Sequence, residues 1–180
     1  MEKGRSEAMK NLVLWHGAQR WSGPPEIRPA KSMKDVEYGP GFYLTTDVDV
    51  ARSYAKGGGV LLRFELQPSL RWLDEVRIPY AEMLSFVESI PRLRHKKEIL
   101  ADLARNQERT GKVDGAAAVV GNLMHYHGAV AGEPGVHLVQ FYLYHGVDAD
   151  RVTGKGLRGD AEYVVLYNLD KIVRYERVKP

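Results

Sequence analysis

Residues 39–55, GPGFYLTTDVDVARSYA, place a strand directly before a helix, and the joint between them decides the fold. GFYLTT, residues 41–46, reads as a β-strand bounded by glycine and proline. Thr46 or Asp47 then stands where a helix N-cap belongs, ahead of DVDVARSYA, in which Val50, Ala51 and Tyr54 share roughly one face. The KGGG that follows ends this helix, because glycine tolerates the left-handed turn of a helix C-terminus. VLLRFEL, residues 60–66, is the next strand. Upstream, NLVLWHG is a short strand that stops at His16-Gly17. Between them Pro24, Pro25, Pro29 and Pro40 make the segment from Gln19 to Pro40 an ordered loop rather than a helix.

Residues 79–106 change character. PYAEMLSFVESI and RHKKEILADLARN carry apolar residues at three-and-four spacing with charges between, the pattern of amphipathic helices. VDGAAAVVGNLMHYHG and GVHLVQFYLYHG read as two more helices, the first alanine-rich and buried. The chain then returns to strand in EYVVLY and KIVRYERV, joined by a turn at Asn168-Leu169-Asp170. No internal repeat or low-complexity linker interrupts it. A single α+β domain spanning residues 1–180 is expected, with terminal strands meeting in one core and a helical insert at about residues 75–130.

The composition bounds the chemistry. A chain of 180 residues with 44% hydrophobic and 27% charged residues has the make-up of an ordinary globular domain. It contains no cysteine, which excludes disulfides, thiol nucleophiles and cysteine metal sites. MEKGRSEAMKNLVLW has one five-residue run of low polarity, far short of a leader's apolar core, and no later run approaches the ~18 residues of a membrane span. The expectation is a cytoplasmic protein without a membrane role, with delivery into another cell by a non-classical route left open. The net charge of +3 is mild and compatible with a nucleic-acid partner.

LWHG, GPGFYLTTDVDVARSYA and GDAEYVVLYNLDKIVRYERV together resemble the His-Tyr-Glu pattern of diphtheria-toxin-type ADP-ribosyltransferases, the group that includes the poly(ADP-ribose) polymerases. There, a first strand ends in His-Gly and a second carries Gly-(Ile/Phe)-Tyr-(Phe/Leu). A helix brings another tyrosine eleven residues on, and a late strand begins with Glu-Tyr. GFYLTTD is similar to the wording of small bacterial toxin-like and phage-associated transferase domains. The resemblance covers residues 12–66 and 136–178. It implies a split, mixed β-sheet with a helical insertion, NAD as substrate, and no metal.

By that resemblance, His16, Gly17, Tyr43, Ala51 and Tyr54 hold NAD, and Glu162 carries catalysis with His16 and Tyr43. NAD's nicotinamide is a flat cation, and aromatic faces on either side stabilise it by about 1 to 2 kcal/mol each when desolvated. Tyr43 and Tyr54 supply those faces. Gly17 lets the backbone approach the carboxamide, and His16 positions the adenosine ribose. The Glu162 carboxylate bonds the nicotinamide ribose and faces the positive charge that develops as the glycosidic bond breaks. Ala51 departs from the pattern, since the polymerases place a serine there. TGKGLRGDA, residues 153–161, runs into Glu162 where the family keeps its target-recognition loop: it is either a loop made mobile by its three glycines that offers Lys155, Arg158 and Asp160 to an acceptor, or a solvated hairpin turn with ordinary charges.

Mono-ADP-ribosylation of a macromolecular acceptor, protein or nucleic acid, by a toxin or effector with a neutralising antitoxin is the implied function. Two alternatives stand beside it: an RNA 2′-phosphotransferase-like enzyme, which also consumes NAD, and a non-catalytic NAD-binding module. Other motifs carry less. HYHG, residues 125–128, lacks further clustered zinc ligands, KGGG lacks a phosphate loop's Lys-Ser/Thr ending, and RLRHKK, residues 92–97, is either a phosphate contact or a helix's wet face.

Overall fold

The structure, a computed structural model, describes residues 10–179; the reading of residues 1–9 as part of a stretch too polar for a leader lies outside them. In chain order the elements are β1 (Leu12–Ala18), β2 (Phe42–Thr45), α1 (Val48–Tyr54), β3 (Val60–Leu66), β4 (Arg77–Pro79), α2 (Tyr80–Ser89), α3 (Lys96–Thr110), β5 (Asp114–Ala116), α4 (Ala118–Tyr126), α5 (Glu133–Tyr144), β6 (Ala149–Lys155), β7 (Asp160–Leu166) and β8 (Ile172–Val178). The chain is therefore α+β, with a six-stranded sheet ordered β6-β7-β2-β1-β3-β8 and a small ribbon of β4 and β5.

Every ladder of the large sheet is antiparallel, so the mixed sheet expected from the resemblance is not found. The reason is connectivity: β2 and β3 run the same way but lie on opposite sides of β1, so no parallel neighbours form. The sheet is uneven. β1 pairs with β3 along its whole length, from Leu12 opposite Leu66 to Ala18 opposite Val60, but meets β2 only at Trp15 opposite Thr45. The two halves thus separate beyond that point. One apolar cluster draws Leu14, Leu62 and Phe64 from one half and Leu44, Val164 and Leu166 from the other, so a shared core spans this narrow junction.

Strand alternation sorts the faces. Trp15, Tyr43, Thr45 and Tyr163 project to one side, while Leu14, His16, Leu44, Glu162 and Val164 project to the other. Helices α2 to α5 pack on the first side in a cluster that includes Val165, Tyr167, Met83, Leu103, Val120 and Tyr142. The expected insert thus extends into α5, which buries Leu138, Val139 and Tyr142.

Four local features correct the expectations or add to them. Within the proline-rich loop, Met33–Val36 forms a 3-10 turn, since the loop's prolines all lie outside those four residues. Residues 114–116, read as helix, form β5, because their backbone pairs with β4, and the helix begins at Ala118. Residues 149–155 form β6, an edge strand whose side chains alternate between half-buried and exposed, a pattern too weak to read without its partner. Of its two readings, the stretch 153–161 takes the hairpin turn rather than the mobile loop: Lys155 opposes Asp160, and only Gly156–Gly159 lie outside the strands, closed by a Gly156 N–H donating to the Gly159 carbonyl at 2.7 Å.

Candidate active site

The strand-helix joint of residues 39–55 builds the site. Asp47 caps α1, its carboxylate accepting from the Asp49 and Val50 N–H groups at 2.8 and 3.3 Å. The helix then lies against β1 so closely that a Cβ on Gly17 would stand 1.7 Å from the Ala51 carbonyl oxygen. Glycine is thus required at position 17 by helix packing itself. α1 ends at Tyr54, and Gly57 and Gly58 follow with φ of +72° and +89°.

Where β1 and β2 part, a cavity of about 270 Å³ opens. His16, Gly17, Tyr43, Ala51 and Tyr54 all line it. They are joined by residues that the sequence did not single out: Trp15, Tyr38, Thr45 and Tyr163, with the charged Lys34, Asp35 and Glu37. Tyr38 lies 5.1 Å from Tyr163 and 6.1 Å from Tyr43, ring centre to ring centre. Tyr54 is more than half exposed where it lines the cavity, whereas the Tyr43 hydroxyl is held by two hydrogen bonds. It donates to the Gly39 carbonyl at 2.6 Å and accepts from the Tyr38 N–H at 3.0 Å. Tyr43 therefore offers the cavity its ring, not a free hydroxyl. Burial pushes both its phenol and that of Tyr163 up to about 12, so both are neutral at pH 7.

Of the three His-Gly pairs, only the first meets this cavity. His127 is 2.7 Å from Asp102 and His145 is 3.2 Å from Glu82, both among the helices. His16 stacks on Phe42 with ring centres 4.8 Å apart, and its Nδ1 is 2.8 Å from the Tyr43 carbonyl oxygen. A carbonyl only accepts, so Nδ1 carries the proton and Nε2 of the neutral ring is an acceptor. Burial holds the imidazole below its ordinary 6.5, the bond to the carbonyl opposing this only in part. The unfolded chain consequently binds this proton first, and folding stability falls as the pH drops below 6.5. Between pH 7 and 5, chemical denaturation should show a larger loss of stability in the wild type than in His16→Phe. Equal losses would mean that His16 is not the group responsible. Glu65, held near 2 chiefly by Arg174 and also by Arg63, stays ionised throughout that range.

Glu162 stands apart from the cavity. Its carbonyl accepts from the Thr45 hydroxyl at 3.0 Å and the Thr46 N–H at 3.2 Å, so its backbone borders the crevice at Thr45. Its side chain is exposed on the opposite face of β7 from Tyr163, the face that His16 shares, and does not line the cavity. Lys155, Arg158 and Asp160 are all exposed around the hairpin tip. Arg158 joins Lys56, Gly57 and Gly58 along an open groove beside α1, and the Lys155 carbonyl accepts from the Tyr163 hydroxyl at 2.8 Å. Among the described residues, no group of three or more His, Cys, Asp or Glu could hold a metal ion, and no helix is long and apolar enough to cross a membrane.

No family model, no curated protein and no solved structure matches the chain.

Proposed function

We propose that the chain is a mono-ADP-ribosyltransferase that cleaves NAD and transfers ADP-ribose to a macromolecular acceptor. One observation carries this reading: His16, Gly17, Tyr43, Ala51 and Tyr54, far apart in sequence, line a single aromatic cavity at the parting of two strands. Its volume lies just below the ~300 Å³ at which pockets begin to enclose a drug-sized ligand, so it takes a nicotinamide group and leaves the rest of the dinucleotide outside. The cationic ring lies between Tyr43 and Tyr54, and the neutral Nε2 of His16 accepts from a ribose hydroxyl.

The nicotinamide ribose then extends past Thr45 to the edge where Glu162 stands. There the carboxylate holds its 2′-hydroxyl and stabilises the oxocarbenium-like charge. The bond between C1′ and the nicotinamide nitrogen breaks with its electron pair going to the ring, which leaves neutral. The acceptor's nucleophile supplies a new pair to C1′ and loses its proton to water. Lys155, Arg158 and Asp160 face the acceptor from the hairpin. The similarity of GFYLTTD to toxin-like and phage-associated domains supports a role as a toxin or effector.

A second reading, a non-catalytic NAD-binding module, draws on the position of Glu162 outside the cavity. Release of nicotinamide from NAD, measured with and without cell lysate, separates them: turnover supports the transferase, and binding without turnover supports the module. Treating lysate labelled through NAD with protease or nuclease identifies the acceptor class. Tyr54→Ala provides a further check. Because that ring is exposed, the fold should survive its loss, while KM for NAD should rise about tenfold. An unchanged KM would remove Tyr54 from the site.

A further inference from the structure

A second cavity, of about 200 Å³, shares the Glu37–Tyr38 segment with the aromatic crevice and is lined by residues of α4, α5 and β6 and by Tyr167, just past the end of β7. Glu37 and Tyr38 line both. Its walls include the rings of Tyr142 and Tyr167, 5.0 Å apart between centres and only 2% and 3% exposed. Tyr167 forms no side-chain hydrogen bond among the described residues, and its hydroxyl is not one of the fully buried atoms left without a partner, so it is open to a ligand or water in the cavity.

Beside it stands Asp150, half-buried on β6. One of its oxygens accepts from the Arg151 N–H at 2.9 Å. The Arg151 guanidinium is turned elsewhere, toward Asp74 and Glu75 at 3.4 and 3.6 Å and over the Trp72 ring. Asp150 and Glu37 thus have no cation within ion-pair distance among the described residues, and burial raises the Asp150 carboxyl above its ordinary range. Of the remaining polar groups, His125 is 3.2 Å from the Val36 carbonyl oxygen through Nε2, and Asn122 completes the wall. A half-buried carboxylate without a counter-ion, sharing a cavity with two tyrosine rings and a phenol hydroxyl free to accept, is the chemistry that holds a cation.

We propose that this cavity binds the head group of a small organic cation, an amine or guanidinium, whose N–H groups bond Asp150 and the Tyr167 hydroxyl. The inference does not depend on NAD turnover. It connects to the crevice through Tyr38, whose N–H donates to the Tyr43 hydroxyl and whose ring leans on Tyr163.

The test uses the full chain titrated with agmatine and with putrescine, against 1,4-butanediol as the uncharged control, read as melting temperature and by calorimetry. The expected result is a saturable rise for at least one cation and none for the diol. Asp150→Asn, which keeps the shape, should weaken binding by at least about tenfold, and Tyr167→Phe by about tenfold. Should Asp150→Asn fail to fold, Tyr167→Phe decides: weakened binding supports the site and unchanged binding overturns it. No saturable effect of either cation in the wild type would overturn it too, leaving a cavity that holds only water.

Discussion

Glu162→Gln is expected to lower nicotinamide release from NAD by about 100- to 1000-fold, the loss typical of removing one preorganised electrostatic partner of a transition state. NAD binding should persist, because the aromatic cavity is built without this side chain. The substitution keeps shape and removes charge. Its side chain is exposed and makes no hydrogen bond or ion pair among the described residues, so the melting temperature should not move. Equal turnover in the two proteins would take catalysis away from Glu162, and a joint loss of binding and stability would assign it a structural role instead.

Gly17→Ala should have the largest effect on the fold at the site. The added methyl would meet the Ala51 carbonyl at 1.7 Å and the Tyr54 Cβ at 3.2 Å, and the first of these is backbone that cannot turn aside. Relief requires α1 to lift from β1. Overpacking of this kind costs about 1–3 kcal/mol, which at this chain length lowers the melting temperature by about 2–4 °C per kcal/mol. Because α1 carries Ala51 and Tyr54, NAD binding should fall in the same variant. An unchanged melting temperature would show that β1 and α1 are less closely packed than the geometry requires.

That glycine also marks how much of the site could be read from the residues. Its importance was legible, but through the family pattern, as a backbone contact to nicotinamide; the packing of α1 gives it a second, independent cause. Tyr43 and Tyr54 were legible because an alternating strand and a capped helix flank them at a readable joint. Tyr163 lies on the same face as Tyr43, yet this depends on the pairing of Thr45 with Tyr163 across 118 positions, which no local pattern encodes. Tyr38 sits in irregular chain, where no period sorts side chains into faces. The amphipathic helices and the hydrophobic strands were readable from spacing. The edge strand β6 and the three-residue strands β4 and β5 were not, since each owes its conformation to a partner rather than to its own apolar pattern.

The position of Glu162 is where chemistry and geometry are most sharply joined. Its backbone is tied to Thr45 at the crevice edge, while its carboxylate points from the face shared with His16. The proposed reaction thus places the nicotinamide ribose outside the cavity, between these two residues.

The crystal structure of the chain with NAD, or with a non-hydrolysable analogue, measures this arrangement directly. The predicted result is a nicotinamide ring between Tyr43 and Tyr54 and a ribose 2′-hydroxyl within hydrogen-bond distance of the Glu162 carboxylate. A dinucleotide bound elsewhere, or a ribose directed away from that carboxylate, would contradict it.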